Sequence, residues 1–490
     1  MPRIMLRKHP RLDAKHEAFA YQAEAVKAVR DLEYSAIFHE QGLGKTKIAV
    51  DLMLYWIEKR IMDTVLLVVK KSLIRNWQRE LAVHTYISPR ILTQNRRANF
   101  FVFNSPARVV LTHYEAVLSE RDRISLFCKT RDVGVILDES AKIKNPETEL
   151  TQALLSLAPL FKRRVIMTGT PVANRPHDIW AQIRFLDQGA SLGDDFAGFR
   201  RTVDLSNKLG GDGVAQGRLE EQLGGIWSRI SPFSVRETKR SGVISLPEKT
   251  ITSVVTEWEP RQRDLYQQIR DNLRAVVIKD GLPAEDRAEV VLKRLLRLVQ
   301  IASNPMLVDP SYRGEPGKLP YLRDLVSKVA AEGEKAIIWT SFTENVDWLM
   351  KELAAWNPRR VHGKLAIEAR NRAIEQFLEE EKARLLIATP GAAKEGLTLS
   401  VANHVVFYDR SFSLDDYLQA QDRIHRISQE RPCFVYNLLM EDSVDQWVDA
   451  LLHAKELAAQ LAQGDISRDY YKSQMTYEFG DILKQILGMT

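Results

Sequence analysis

Short apolar runs alternate with helical patterns towards both ends of the chain. The runs are rich in valine, isoleucine and leucine and are followed by polar residues. This pattern is typical of buried parallel strands whose functional groups lie at their carboxyl ends. One group of runs starts at Thr64, Arg108, Val133 and Arg164, and a second group starts at Lys335, Ala383, His404 and Cys433. The pattern therefore predicts two α/β units.

The middle of the chain has a different pattern. Residues 187–225 are rich in glycine and charge without a sustained period, so we expect a loop-bearing insertion there. Residues 261–308 return to a helical period that places Leu295, Leu296 and Val299 on one face. The predicted domains are a first α/β unit at 1–186, helical insertions and a linker at 187–320, a second α/β unit at 321–455 and a helical tail at 456–490.

Composition narrows the class of protein. The chain has 490 residues, of which 45% are hydrophobic and 27% charged, as in soluble proteins with two or more domains. A net charge of +6 favours a polyanionic partner only weakly. Cys128 and Cys433 are its two cysteines, which excludes a thiolate zinc cluster and a disulfide framework. With no signal peptide or membrane-spanning run, we expect a cytoplasmic protein.

The stretch "EQGLGKT" predicts a phosphate-binding loop, although His39 replaces the first glycine of the usual pattern. Backbone N–H groups of Gly42, Leu43 and Gly44 can face phosphate oxygens, and the positive end of the following helix adds to the attraction. Further roles follow for the next two residues: Lys45 would reach the β- and γ-phosphates, and Thr46 would bind Mg²⁺. A chance G-K-T before a helix is the alternative.

A pair of carboxylates, Asp138 and Glu139, directly follows an apolar run. Buried carboxylates at a strand end are costly unless they have a partner or a task. Water-mediated Mg²⁺ binding by Asp138 and activation of an attacking water by Glu139 would supply that task. Two exposed turn residues are the alternative, which the upstream phosphate loop makes less favourable.

The motifs resemble, in collinear order from Tyr21 to Gln429, the Swi/Snf family of DNA translocases in helicase superfamily two. They include "EQGLGKT", "DESAKIKN", "MTGTP", "ATPGAAKEGLTL" and "DRIHRISQ". The resemblance implies an α/β fold of two RecA-like parallel-sheet lobes in tandem, with helical insertions between them. It also implies a divergent, short member similar to bacterial or phage forms, with ATP and Mg²⁺ as cofactors.

The resemblance assigns further roles. Gln22 is expected to read the adenine, and Arg423 and Arg426 to reach the γ-phosphate from the second lobe, where a guanidinium stabilises the transferring phosphoryl group. The residues implied to couple the phosphate state to DNA are Thr168, Gly169, Thr170 and Gln419. The residues implied to contact the DNA backbone are Ser72, Thr112, Tyr114, Ser341, His362, Thr389 and Gly396.

Two departures from the family pattern matter. The family commonly has an acidic residue where this chain has His39, and a histidine or glutamine where it has Ala141. Because Ala141 cannot form a side-chain hydrogen bond, one polar link between the carboxylate strand and the coupling motif should be missing. Coupling efficiency, rather than ATP binding, is then in question.

Together these features predict a DNA-dependent ATPase that translocates on double-stranded DNA without separating the strands. Binding is expected to be sequence-independent and strongly salt-dependent. We expect a monomer that binds neither zinc nor membrane. The alternatives are a strand-separating or fork-remodelling helicase, a nucleotide-gated DNA-binding module, and the motor subunit of a DNA-processing or defence complex whose protein partners supply specificity.

Overall fold

The computed structural model describes residues 11–172, 174–203, 213–280, 288–393 and 399–474. The chain divides into two compact units. The first takes its residues from Met1–Leu205, Gln216–Ile244 and Ala458–Tyr470, and the second is built mainly from Ser245–Leu457. Each unit is organised around its own parallel sheet.

The first sheet has the strand order β3-β4-β2-β5-β6-β1-β7 in the described part of the chain. Its strands are β1 (Tyr34–Ile37), β2 (Thr64–Val69), β3 (Arg90–Ile91), β4 (Val109–His113), β5 (Val133–Asp138), β6 (Arg163–Met167) and β7 (Ser234–Val235). The helices are α1 (Ala20–Val29), α2 (Lys45–Glu58), α3 (Ile74–His84), α4 (Arg96–Phe103), α5 (Tyr114–Ser119), α6 (Arg121–Thr130), α7 (Glu149–Leu157), α8 (Trp180–Asp187), α9 (Phe196–Thr202) and α10 (Gly213–Ile230).

The second sheet has the order β10-β11-β9-β12-β13-β8. Its strands are β8 (Lys249–Thr256), β9 (Ala336–Trp339), β10 (Arg359–Val361), β11 (Leu385–Ala388), β12 (His404–Phe407) and β13 (Cys433–Met440). The helices that follow α10 are α11 (Pro260–Asp280), α12 (Ala288–Ser303), α13 (Lys318–Ala331), α14 (Thr343–Glu352), α15 (Ile367–Glu379), α16 (Pro390–Ala393), α17 (Leu414–Gln421), α18 (Val444–Ala462) and α19 (Arg468–Gln474).

The predicted pair of parallel α/β units is confirmed. Every apolar run singled out in the sequence contains a strand, and all strand pairs in the described residues are parallel. The interior strand β2 is buried along its whole length because it lies between β4 and β5 with helices packed on the sheet. Its carboxyl end, like those of β5 and β1, therefore points to one edge of the sheet.

Helices α9 and α10 lie within residues 187–320, where helical insertions are predicted. The middle of the chain differs from the prediction in two places. Strand β8 lies in the stretch predicted as linker and pairs with β13. In α12, Leu295 and Val299 are buried while Leu296 is 42% exposed, so the apolar face is narrower than predicted. Leu298 takes its place in the core.

Candidate functional site

The loop between β1 and α2 has the backbone conformation that phosphate cradles require. Gly42 and Gly44 have φ angles of 86° and 69°, a region that side-chain-bearing residues rarely occupy. Gly44 is also the residue that precedes the first turn of α2, and a Cβ atom there would collide with the amide nitrogen of Gln22. The positive φ therefore favours glycine at position 44, and a side chain there would also displace the Gln22 amide.

Helix α1 braces this loop. The hydroxyl of Tyr21 donates to the carbonyl of Leu43 at 3.0 Å, and the Gln22 amide donates to the Tyr21 hydroxyl at 3.3 Å. Tyr21, Gln22 and Leu43 are all buried. The predicted adenine-reading residue thus lies directly against the predicted phosphate loop.

Lys45 crosses the loop. Its ammonium group donates to the carbonyls of His39 and Glu40 at 2.9 and 3.1 Å. Burial, and next the charge of Lys45, lowers the pKa of His39 to about 4, so the imidazole is neutral at physiological pH. Lys45 contacts position 39 through the backbone carbonyl, which any residue supplies. Thr46 follows in the first turn of α2 and is half-buried.

The two carboxylates follow one another at the end of β5. Asp138 accepts a hydrogen bond from the indole N–H of Trp77 at 2.7 Å. Burial is the larger cause and the charge of Glu139 the second cause that raise the pKa of Asp138 to about 6. Glu139 has a φ of 55°, which turns its side chain away from the direction that a continuing strand would give it. The pair is therefore built into the sheet edge and is not part of an exposed turn.

The coupling segment Thr168–Thr170 follows β6, next to β5 and β1. The Thr168 N–H donates to the carbonyl of Ile37 at 3.2 Å, and the Thr170 N–H donates to the Thr168 hydroxyl at 3.2 Å. Gly169 packs against Gln41 in the phosphate loop. The structure thus brings together the loop, the carboxylates and the coupling segment within the first unit.

A polar link that does not involve Ala141 joins the carboxylate strand to the coupling motif. The Ser140 hydroxyl donates to the Gln182 side-chain oxygen at 2.7 Å. The Gln182 amide in turn donates to the carbonyls of Pro171 and Asp178 at 3.0 and 2.9 Å. Gln182 is fully buried in α8 and was missed in the sequence; a glutamine on the apolar face of a helix was the available signal.

Two predicted DNA contacts require correction. Thr112 and Tyr114 are fully buried. The Tyr114 hydroxyl donates to the carbonyl of Asp138 at 2.8 Å, so this side chain supports the carboxylate strand. Neither side chain lies at a surface that a DNA backbone could reach. Ser72, in the turn that follows β2, is exposed and accessible.

In the second unit, the predicted arginines lie just after α17. Arg423 is buried, and Arg426 is half-buried with its Nε donating to the carbonyl of Asp422 at 2.8 Å. Gln419, in α17, donates to Asp415 at 2.7 Å. The sequence "DRIHRISQ" therefore places both guanidinium groups on one short segment of the second unit.

The remaining predicted DNA contacts belong to the second unit. The backbone N–H of Ser341 donates to Asp409 at 2.6 Å, and His362 and Thr389 are largely buried. Gly396 lies outside the described residues. Asp409 was missed in the sequence: it is buried and also accepts from Ser303 at 2.7 Å. Its signal was the same as that of Asp138, an acidic residue shortly after a buried strand.

The chain matches two known domain families and is similar to several known proteins. Residues 21–307 match the family of the SNF2-related domain, and residues 317–428 match the helicase conserved C-terminal domain. A Bacillus subtilis protein whose name describes an ATP-dependent helicase or translocase is 29% identical over 436 residues, covering 85% of this chain and 45% of that protein. A human SWI/SNF-related regulator of chromatin, subfamily A member 1, is 27% identical over 83% of this chain and 39% of its own length.

Among solved structures, the SWI2/SNF2 ATPase core of Sulfolobus solfataricus in complex with double-stranded DNA is 23% identical with a TM-score of 0.43, covering 99% of this chain and all of that one. The chain thus spans less than half of the length of the two curated relatives named above. Within the described residues, none of the helices combines the length and apolar character that a bilayer crossing needs.

Proposed function

Because this chain belongs to the SNF2-related family, whose domain matches residues 21–307, we propose that it is a DNA-dependent ATPase that moves along double-stranded DNA. The supporting observation is the meeting of three parts in the first unit. These are the phosphate loop with Lys45, the half-buried pair Asp138 and Glu139, and the segment Thr168–Thr170. A site that only bound nucleotide would not need a carboxylate aligned to activate water.

The nucleotide in this proposal is ATP with Mg²⁺. The Thr46 hydroxyl and the Asp138 carboxylate offer the hard oxygen ligands that Mg²⁺ prefers, and Trp77 orients the carboxylate. When bound, the ion neutralises charge on the β- and γ-phosphates. Lys45 would exchange its contacts with the loop carbonyls for phosphate oxygens, and Gln22 would read the adenine beside the loop.

Hydrolysis in this proposal requires residues of both units. Glu139 accepts a proton from the attacking water, while Arg423 and Arg426 stabilise the charge on the transferring phosphoryl group. Arginine suits this task because its guanidinium is planar and always charged. Closure of the two units on ATP and their release after hydrolysis would then provide the motor stroke.

Double-stranded DNA is the proposed polymer along which the protein moves, because of the family match and because Ser72 is accessible to a DNA backbone. The exposed hydroxyl of Ser72 can donate to phosphate oxygens, which carry no sequence information. Binding is therefore expected to be independent of sequence and to weaken steeply with salt. Protein partners that supply specificity fit the same proposal.

Triplex displacement tests movement without strand separation. With ATP, the protein is expected to release a third strand from a duplex that carries a triplex-forming oligonucleotide, and to leave the two duplex strands paired. The control is the same protein with a non-hydrolysable ATP analogue. Robust separation of a plain duplex would instead support the strand-separating alternative, and release of the third strand without hydrolysis would contradict a motor.

A further inference from the structure

The side chain of Gln41 connects two motifs that the proposed mechanism leaves unconnected. Its amide donates to one carboxylate oxygen of Glu139 at 3.1 Å, across 98 positions of sequence. Gln41 lies in the phosphate loop and is half-buried, so the contact joins the loop to the end of β5. Gln41 has no role among those that the sequence motifs imply.

Gln41 also touches the coupling segment. A Cβ atom added at Gly169 would lie 2.8 Å from Cγ of Gln41 and 2.9 Å from its backbone nitrogen. These separations are shorter than non-bonded atoms tolerate, so a larger residue at position 169 would have to displace Gln41. Gly169 therefore lies directly against the residue whose side chain contacts Glu139.

The contact also sets the orientation of the Glu139 carboxylate. A carboxylate has two oxygens, and the Gln41 amide occupies a lone pair of Oε1. The left-handed backbone of Glu139 sets the direction of the side chain, and the hydrogen bond restricts rotation of the carboxylate. The carboxylate is then held in one orientation for the transfer of a proton from water, which depends on fixed geometry.

We infer that Gln41 is a positioning residue that holds the Glu139 carboxylate for proton transfer. The inference rests on the proposed ATPase function. Ala141 has no hydrogen-bonding side chain, and Gln41 provides a polar connection to Glu139 from the side of the phosphate loop. Gln41 acts through Glu139 and is not itself expected to contact the reacting atoms.

The test compares two variants of Gln41 with a matched control. Gln41→Leu removes the donor and keeps a side chain of similar volume. It should lower kcat roughly tenfold, the range expected for a hydrogen bond to a charged group, and change the KM for ATP by less than about twofold. Gln41→Glu keeps the shape but places a second carboxylate beside Glu139, so its kcat should fall further. Gln94→Leu changes an exposed glutamine of the same unit and should leave both constants unchanged.

Two readouts separate positioning from folding. The ADP dissociation constant and the thermal midpoint of Gln41→Leu should match those of the parent, because the loop backbone and its glycines are retained. A kcat within twofold of the parent for both Gln41→Leu and Gln41→Glu would overturn the inference. Turnover is measured with and without duplex DNA. If the parent protein hydrolyses ATP but duplex DNA does not stimulate it, the DNA-dependent function is refuted. The kcat measured without DNA then still decides the role of Gln41.

Discussion

Replacement of Arg426 by alanine is expected to lower ATP turnover by about 10³–10⁵ while leaving the affinity for ATP nearly intact. An arginine supplied to a transferring phosphoryl group acts mainly in the transition state, so its loss changes kcat more than binding. The guanidinium of Arg426 is half-buried and donates to the carbonyl of Asp422, a residue of the same short segment.

Two further variants sharpen the expectation for Arg426. Arg426→Lys keeps the charge but loses the planar pair of donors, and it should recover only part of the lost turnover. Arg372→Ala removes an exposed arginine from α15 in the same unit and should leave kcat unchanged. Steady-state kinetics with saturating duplex DNA, together with equilibrium binding of a fluorescent ATP analogue, give both quantities. Parent-level turnover in Arg426→Ala would show that the proposed two-unit site is wrong.

The variant Glu139→Gln should stop hydrolysis and keep ATP bound. The amide cannot accept the proton of the attacking water, and loss of a general base typically costs about 10²–10⁴ in rate. Its side-chain oxygen can still accept the hydrogen bond that Gln41 donates, so the loop and the end of β5 should keep their arrangement. The structure therefore predicts a chemical defect without a folding defect.

Single-turnover measurement with radiolabelled ATP checks this prediction. Retention of unhydrolysed ATP on the protein, with duplex DNA still bound, is the expected result. Glu115→Gln serves as the matched control, since Glu115 is a half-exposed acid of the same unit that pairs with Lys142. Hydrolysis by Glu139→Gln at the parent rate would assign the base to another residue.

The buried strands were predictable because both faces of each parallel sheet are covered, which leaves continuous apolar runs such as Thr64–Val69. Strand β8 escaped the same reasoning. It lies at the edge of its sheet, with Ile251 and Val255 about half exposed, and its polar residues interrupt the apolar signal. The short strands β3 and β10 carry too few residues to show a pattern.

Some residues of the candidate site could also be predicted from the sequence, and others could not. The phosphate loop and the carboxylate pair were predictable because each depends on neighbouring residues and on the end of one strand. Gln41, Gln182 and Asp409 were not, because their contacts join positions 42 to 106 residues apart. The burial of Tyr114 likewise depends on β5, the strand beneath its hydroxyl. A residue such as Asp409 can stand out in the sequence, but the partner that it contacts cannot be identified from one sequence alone.

The most direct test of the central claim is steady-state ATP hydrolysis measured without nucleic acid and with single-stranded DNA, duplex DNA or duplex RNA, with Glu139→Gln as the blank. The account predicts strong stimulation by duplex DNA, little by the other nucleic acids, and no turnover in the blank. Stimulation mainly by single strands or RNA, or no stimulation by any of them, would contradict a double-stranded DNA translocase.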